Sequence, residues 1–132
     1  MGIFDIFKKQ QTPLTTEEKV DKMWELWEKN KLKLPCAKLM TYESEVNNGG
    51  HNQYFFNLAN GGKLKKEVEA VLSMLPEPLQ ENLKRGYDAF AAQEDIADDC
   101  NGNLFEECDN VFYEHEHLII DIIDEAAKTF EL

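Results

Sequence analysis

Glu114-x-x-His117 is the first constellation in this chain with chemical potential. On a helix two such side chains stand one turn apart, and paired Glu-x-x-His units hold di-iron centres in helical bundles. No second Glu-x-x-His occurs, so no dinuclear centre is expected. Glu114, His117 and Asp121 would share one face, which reads as a solvated acidic surface rather than a ligand set. The run Ala97-Asp98-Asp99-Cys100-Asn101-Gly102 resembles the start of a calcium loop. With Gly102 in the glycine place, however, Ala97 stands first and Cys108 last, so the first carboxylate and the bidentate glutamate are missing. Cys100, Cys108, His115 and His117 lack the short paired spacing of a zinc site, and Cys36, Cys100 and Cys108 read as small core or loop residues. No metal site is expected.

The catalytic inventory is thin. Ser44 and Ser73 are the only serines, and neither sits in a nucleophile elbow. Glu43 and Glu45 are two apart and point to different sides of a helix, so they do not pair with each other. No glycine loop with its lysine cradles a phosphate. The chain is therefore read as a non-enzyme with no catalytic residue and no cofactor. Its densest polar run is Glu45-Val-Asn-Asn-Gly-Gly-His-Asn-Gln-Tyr-Phe-Phe-Asn57. There Glu45, Asn48, Gln53 and Asn57 carry donors and acceptors that could tie two helix ends together, as a buried structural network or as a ligand patch. Gly49 and Gly50 would stop the preceding helix.

The elements that position these residues are helical. Thr15 with Glu18 three residues on is a capping box, and Val20, Met23, Trp24 and Trp27 form one apolar stripe in a helix over 15–30. Further helices are expected from Pro35 to about Asn48, from about Asn52 to Ala59, from Lys63 to Leu75, and from Pro78 through Phe90. Residues 94–103 read as an acidic loop, Leu104 to Phe112 as a short turn, and the chain then closes with a long helix to about Phe130. In that helix Leu118, Ile119, Ile122, Ile123, Ala126 and Phe130 share one arc, with His115 as a hydrogen-bonded core histidine. Glu114, Asp121, Asp124 and Glu125 take the opposite arc. No segment alternates as a strand, so the fold class is all-α, a single compact domain of about six helices over 15–132 behind a short segment 1–14 whose opening residues are amphipathic.

Charge is unevenly spread. Residues 1–66 carry 11 lysines against 8 carboxylates, whereas residues 67–132 carry 3 basic against 18 acidic side chains, and the chain totals −12. Direct binding to nucleic acid is excluded as the default, since like charges repel and no basic stripe meets phosphate. The asymmetry points to a partner that selects for charge. Three cysteines and no secretory signal predict a reducing cytoplasm, and no apolar run spans a membrane.

The segment 45–57 resembles the signature of a bacterial helical family named for its DNA-mimic member, roughly Glu-Val-x-Asn-Gly-Gly-Phe-x-Gln-aromatic-aromatic-x-Asn. It matches at Glu45, Val46, Asn48, Gly49, Gly50, Gln53, Tyr54, Phe55 and Asn57, and fainter similarity runs over about residues 16–130. His51 stands where the pattern has Phe, a departure expected to loosen inter-helix packing. The resemblance implies an all-α fold and, for the named member, a negative surface that imitates duplex DNA to occupy a transcription regulator. From Glu114 to Glu125 there are five carboxylates, one per roughly 4 Å of axis, against a phosphate every ~3.4 Å along one DNA strand.

The function expected is thus an acidic interaction domain engaging a basic surface of a protein partner, a DNA-binding regulator in the first instance. Glu114, Asp121, Asp124, Glu125, Asp98 and Asp99 are the expected contact residues. The alternatives are an immunity-type protein neutralising a basic toxin, or a small-ligand binder or enzyme using Glu45–Asn57.

Overall fold

Thr15 opens the first helix by a reciprocal cap. Its hydroxyl accepts from the Glu18 N–H at 3.1 Å, and the Glu18 carboxylate accepts from the Thr15 N–H at 3.0 Å, satisfying two amides that the helix itself leaves free. The computed structural model describes residues 13–95 and 100–131; residues 1–12 of the N-terminal segment, and with them Asp98 and Asp99, lie outside the described residues. Within these, five helices follow in order: α1 (Thr16–Glu28), α2 (Cys36–Asn60), α3 (Leu64–Leu72), α4 (Glu77–Ala91) and α5 (Gly102–Lys128), with no strand.

α2 is bent at Gly50, whose φ of 79° and ψ of 179° lie in a region open essentially to glycine alone. The expected helix stop at Gly49-Gly50 is therefore a sharp corner, and the chain re-enters a helix at once. Counting the two arms of α2 apart gives six helices. α5 departs from expectation more. The short turn expected over 104–112 is instead the first part of one continuous 27-residue helix. The reason is packing: Phe105, Cys108, Phe112, Ile119, Ile123 and Ala127 recur at steps of three, four and seven, all are buried, and no proline or glycine interrupts them.

α5 packs against α1, α2 and α4, and α3 closes the bundle against α2 and α4. The core between them is rich in rings. Tyr42 meets Tyr54 and Phe112 at centroid separations of 5.0 and 5.5 Å, and Phe55 meets Phe90 and Phe105 at 5.5 and 6.0 Å. Truncating one such ring costs about 3–5 kcal/mol. Asn82 ties α4 to α5 by donating from Nδ2 to the Cys108 carbonyl at 2.8 Å. Cys36 and Cys108 are buried, which pushes both thiols up, so their role is packing rather than reaction. His115 is not the core histidine. It is half-buried with Nδ1 3.0 Å from the Val111 carbonyl of its own helix, and the fully buried histidine is His51.

Candidate functional site

The polar run at the α2 corner is built from the backbone outward. Glu45, on the first arm, accepts through Oε2 from Gln53 Nε2 at 2.8 Å and from Asn57 Nδ2 at 3.2 Å, clasping the two arms together. The Gln53 side chain crosses directly over Gly49, where any Cβ would collide with it. Gly50 leaves room for a second approach, from α5. A Cβ there would stand 2.5 Å from Asp109 Oδ2. Asp109 uses that space to accept through Oδ1 from the His51 N–H at 2.8 Å, and the same oxygen lies 2.6 Å from His51 Nδ1. The other ring nitrogen, Nε2, lies 2.7 Å from the Tyr42 hydroxyl.

Tyr42, His51 and Asp109 have the residue types of a proton relay, but Tyr42 and His51 are fully buried and no reactant reaches them. Burial pushes the Tyr42 hydroxyl well above its ordinary range, so it stays protonated beside His51 Nε2. With every buried side-chain polar atom partnered among the described residues, the arrangement is a lock between α2 and α5. His51 therefore does not loosen the helix packing at all. Asn48, expected within the same network, is exposed and makes no side-chain hydrogen bond among the described residues.

Above the lock, α2 and α5 run antiparallel and form a polar seam. Tyr113 donates from its hydroxyl to the Val46 carbonyl at 3.3 Å. Asn47 Nδ2 then stands 2.9 Å from Glu43 Oε1 and 2.7 Å from Glu116 Oε2, holding two carboxylates of different helices at one amide. Glu43 is pushed up to about 7 by its burial, then by its hydrogen bond with Glu116 and that group's negative charge, while Asn47 opposes the shift. Helical spacing separates Glu43 from Glu45 as expected; its acidic neighbour is Glu116.

The outer face of α5 carries the expected contact residues. Glu114 and Asp121 are exposed, as is Glu106 on the same side, and none forms an ion pair among the described residues. Asp124 is half-buried. Glu125 is exposed but paired with Lys128 at 2.7 Å, and Glu107 is paired with Arg85 at 2.7 Å. Two large apolar side chains also stand in solvent on this helix: Tyr113, 48% exposed, and Ile120, 47% exposed. Among the described residues no three His, Cys, Asp or Glu side chains are grouped to hold a metal ion. A cleft of about 320 Å³ opens elsewhere, between Trp27, Leu58, Lys38, Lys63 and Glu67, with Lys38 paired to Glu67 at 3.5 Å. No described helix is long and apolar enough to cross a membrane.

The residues missed by sequence reasoning are Tyr42, Asp109, Asn47 and Glu116. Asp109 sits 58 positions from His51, and Glu116 sits 69 positions from Asn47, so no local spacing announces either contact. Compared with known families, residues 37–129 match the model of the DMP19-like protein family. No curated protein and no solved structure matches.

Proposed function

The chain belongs to the DMP19-like protein family, and from that premise we propose that it is a binding protein that offers a basic protein partner a surface charged like DNA. The partner class that fits is a DNA-binding regulator, whose basic face is already built to receive a row of anions. The outer face of α5 carries the reading. Glu106, Glu114 and Asp121 project from one rigid helix about 40 Å long, with no cation paired to them among the described residues. The backbone that carries these charges is already ordered by packing, so a partner must fix only their side chains, which reduces the entropic cost of association.

The ligand-site alternative draws no comparable support. In the Glu45–Asn57 segment, Glu45, Gln53 and Asn57 are bonded to one another and His51 to α5, while Asn48 faces solvent by itself rather than converging with them on a pocket.

Competition tests the proposal. Proteins captured from lysate at low salt should include a DNA-binding protein, and the purified chain should displace duplex DNA from it. Displacement should weaken steeply as the screening length shrinks from about 30 Å at 0.01 M to about 8 Å at 0.15 M salt. Changing Asp121, Asp124 and Glu125 to Asn, Asn and Gln should weaken it as well. Affinity that ignores salt, or captured partners without a basic surface, would sink the reading.

A further inference from the structure

Tyr113 and Ile120 lie seven residues apart, so they project from the same side of α5 about 10.5 Å from each other along its axis. Between them, one turn from Tyr113, Glu116 leans toward α2 and meets Glu43 at the Asn47 amide. Tyr113 is itself pinned to this seam through the Val46 carbonyl. Two solvent-exposed apolar side chains thus border a pair of carboxylates that no cation neutralises among the described residues. A pure phosphate imitation has no use for exposed tyrosine and isoleucine. In protein interfaces, by contrast, a half-exposed aromatic beside charged groups is the usual anchor.

We infer that the α2–α5 seam docks a basic protein surface that presents an arginine to Glu43 and Glu116 and apolar side chains to Tyr113 and Ile120. The inference rests on the reading of this chain as a binder of basic proteins and assigns that contact a place. Charge complementarity selects the occupant: a planar guanidinium can bridge two carboxylates held by one amide, in the position where the Asn47 side chain now bridges them. The titratable groups gathered here are Glu43 on α2 and Asp109, Tyr113 and Glu116 on α5, and both Asp109 and Glu116 push the Tyr113 hydroxyl up, after burial. An arginine seated between Glu43 and Glu116 favours both in the charged form, so docking releases the proton that Glu43 holds below about pH 7. Affinity then rises with pH, by up to about tenfold per unit while one proton is released.

The probes are two labelled peptides, one oligo-arginine and one amphipathic helix with an arginine face and a leucine face, titrated by fluorescence anisotropy at about pH 6 and about pH 8. The expected result is tighter binding of the amphipathic peptide, strengthened at the higher pH. Tyr113→Ala with Ile120→Ser should weaken it by about tenfold or more, to the level of oligo-arginine, with the melting temperature lowered by only about 4–8 °C for the lost Val46 hydrogen bond and the helical signal kept at the assay temperature. Glu43→Gln should flatten the pH dependence. If the amphipathic peptide binds in a salt-sensitive way but ignores the seam variants, while Asp121→Asn with Asp124→Asn abolishes binding, the seam assignment is overturned and the acidic-binder reading stands. If neither peptide binds the wild-type chain, that reading fails and the seam fails with it.

Discussion

Replacing Gly50 by alanine attacks the α2 corner at two points that the structure separates. The first is the backbone. At φ 79° and ψ 179° a residue with a side chain is strained, at a cost of about 1–3 kcal/mol. The second is the approach of α5. The new Cβ would stand 2.5 Å from Asp109 Oδ2 and 3.1 Å from its Cγ, so the carboxylate must swing away from the bonds it makes to the His51 N–H and Nδ1. Leaving a fully buried histidine without those bonds adds about 2–4 kcal/mol. The sum, about 3–7 kcal/mol, is a large share of the roughly 5–15 kcal/mol that holds a domain folded. At about 4 °C per kcal/mol for a chain of this size, the melting temperature should fall by about 12–28 °C. Thermal melts followed by far-ultraviolet circular dichroism give the number. The same substitution in an Asp109→Ala background meets no carboxylate, so its cost there should shrink to the backbone strain alone. A Gly50→Ala chain that melts within a few degrees of wild type, or costs the same in both backgrounds, would refute the lock.

Three further expectations follow from the same geometry. Glu43 is raised from 4.5 to about 7 in the fold, so its contribution is fully present below about pH 4.5 and is lost as pH rises through about 7. Melting temperature should therefore drop between about pH 4.5 and about pH 7 and level off above that, and Glu43→Gln should remove most of that slope; an unchanged slope would show that the carboxylate pair is not its source. Glu45→Ala breaks the clasp to Gln53 and Asn57 and should cost about 1–2 kcal/mol, whereas the exposed Asn48→Ala should stay within about 0.5 kcal/mol in denaturant titration; equal costs would contradict the geometry. The Asp121→Asn, Asp124→Asn, Glu125→Gln chain should melt within about 2 °C of wild type, because these positions carry no buried partner and lose mutual repulsion; a larger drop would mean that the face supports the fold.

Much of the bundle is legible in the sequence because its signals are local. Thr15 and Glu18 lie one turn apart and name the start of α1. Gly49-Gly50 marks the corner of α2, since only a residue without a side chain tolerates both the dihedral angles and the two close approaches. The start of α5 is less visible. Its first nine or so residues mix Glu, Asp and Asn with isolated apolar side chains, and the buried stripe through Phe105, Cys108 and Phe112 emerges only when read together with Ile119 and Ile123. The contacts that matter most are illegible for a different reason. Helical periodicity tells which residues share a side of one helix, and it correctly parts Glu43 from Glu45. It says nothing about which residue of another helix comes to meet that side, and both Asp109–His51 and Glu116–Asn47 are of that kind.

α5 is also a helix with two audiences. Asp109 turns inward and fixes the corner of α2, while Glu106, Glu114 and Asp121 turn outward and touch no structural partner among the described residues. The inner side fixes where the helix sits, and the outer side is free to change letter by letter. A scaffold divided this way can be reprogrammed: the spacing and number of outward carboxylates can drift, or be designed, toward a new basic target while the corner keeps the same shape. In such a lineage the fold would persist long after the identity of the partner had changed.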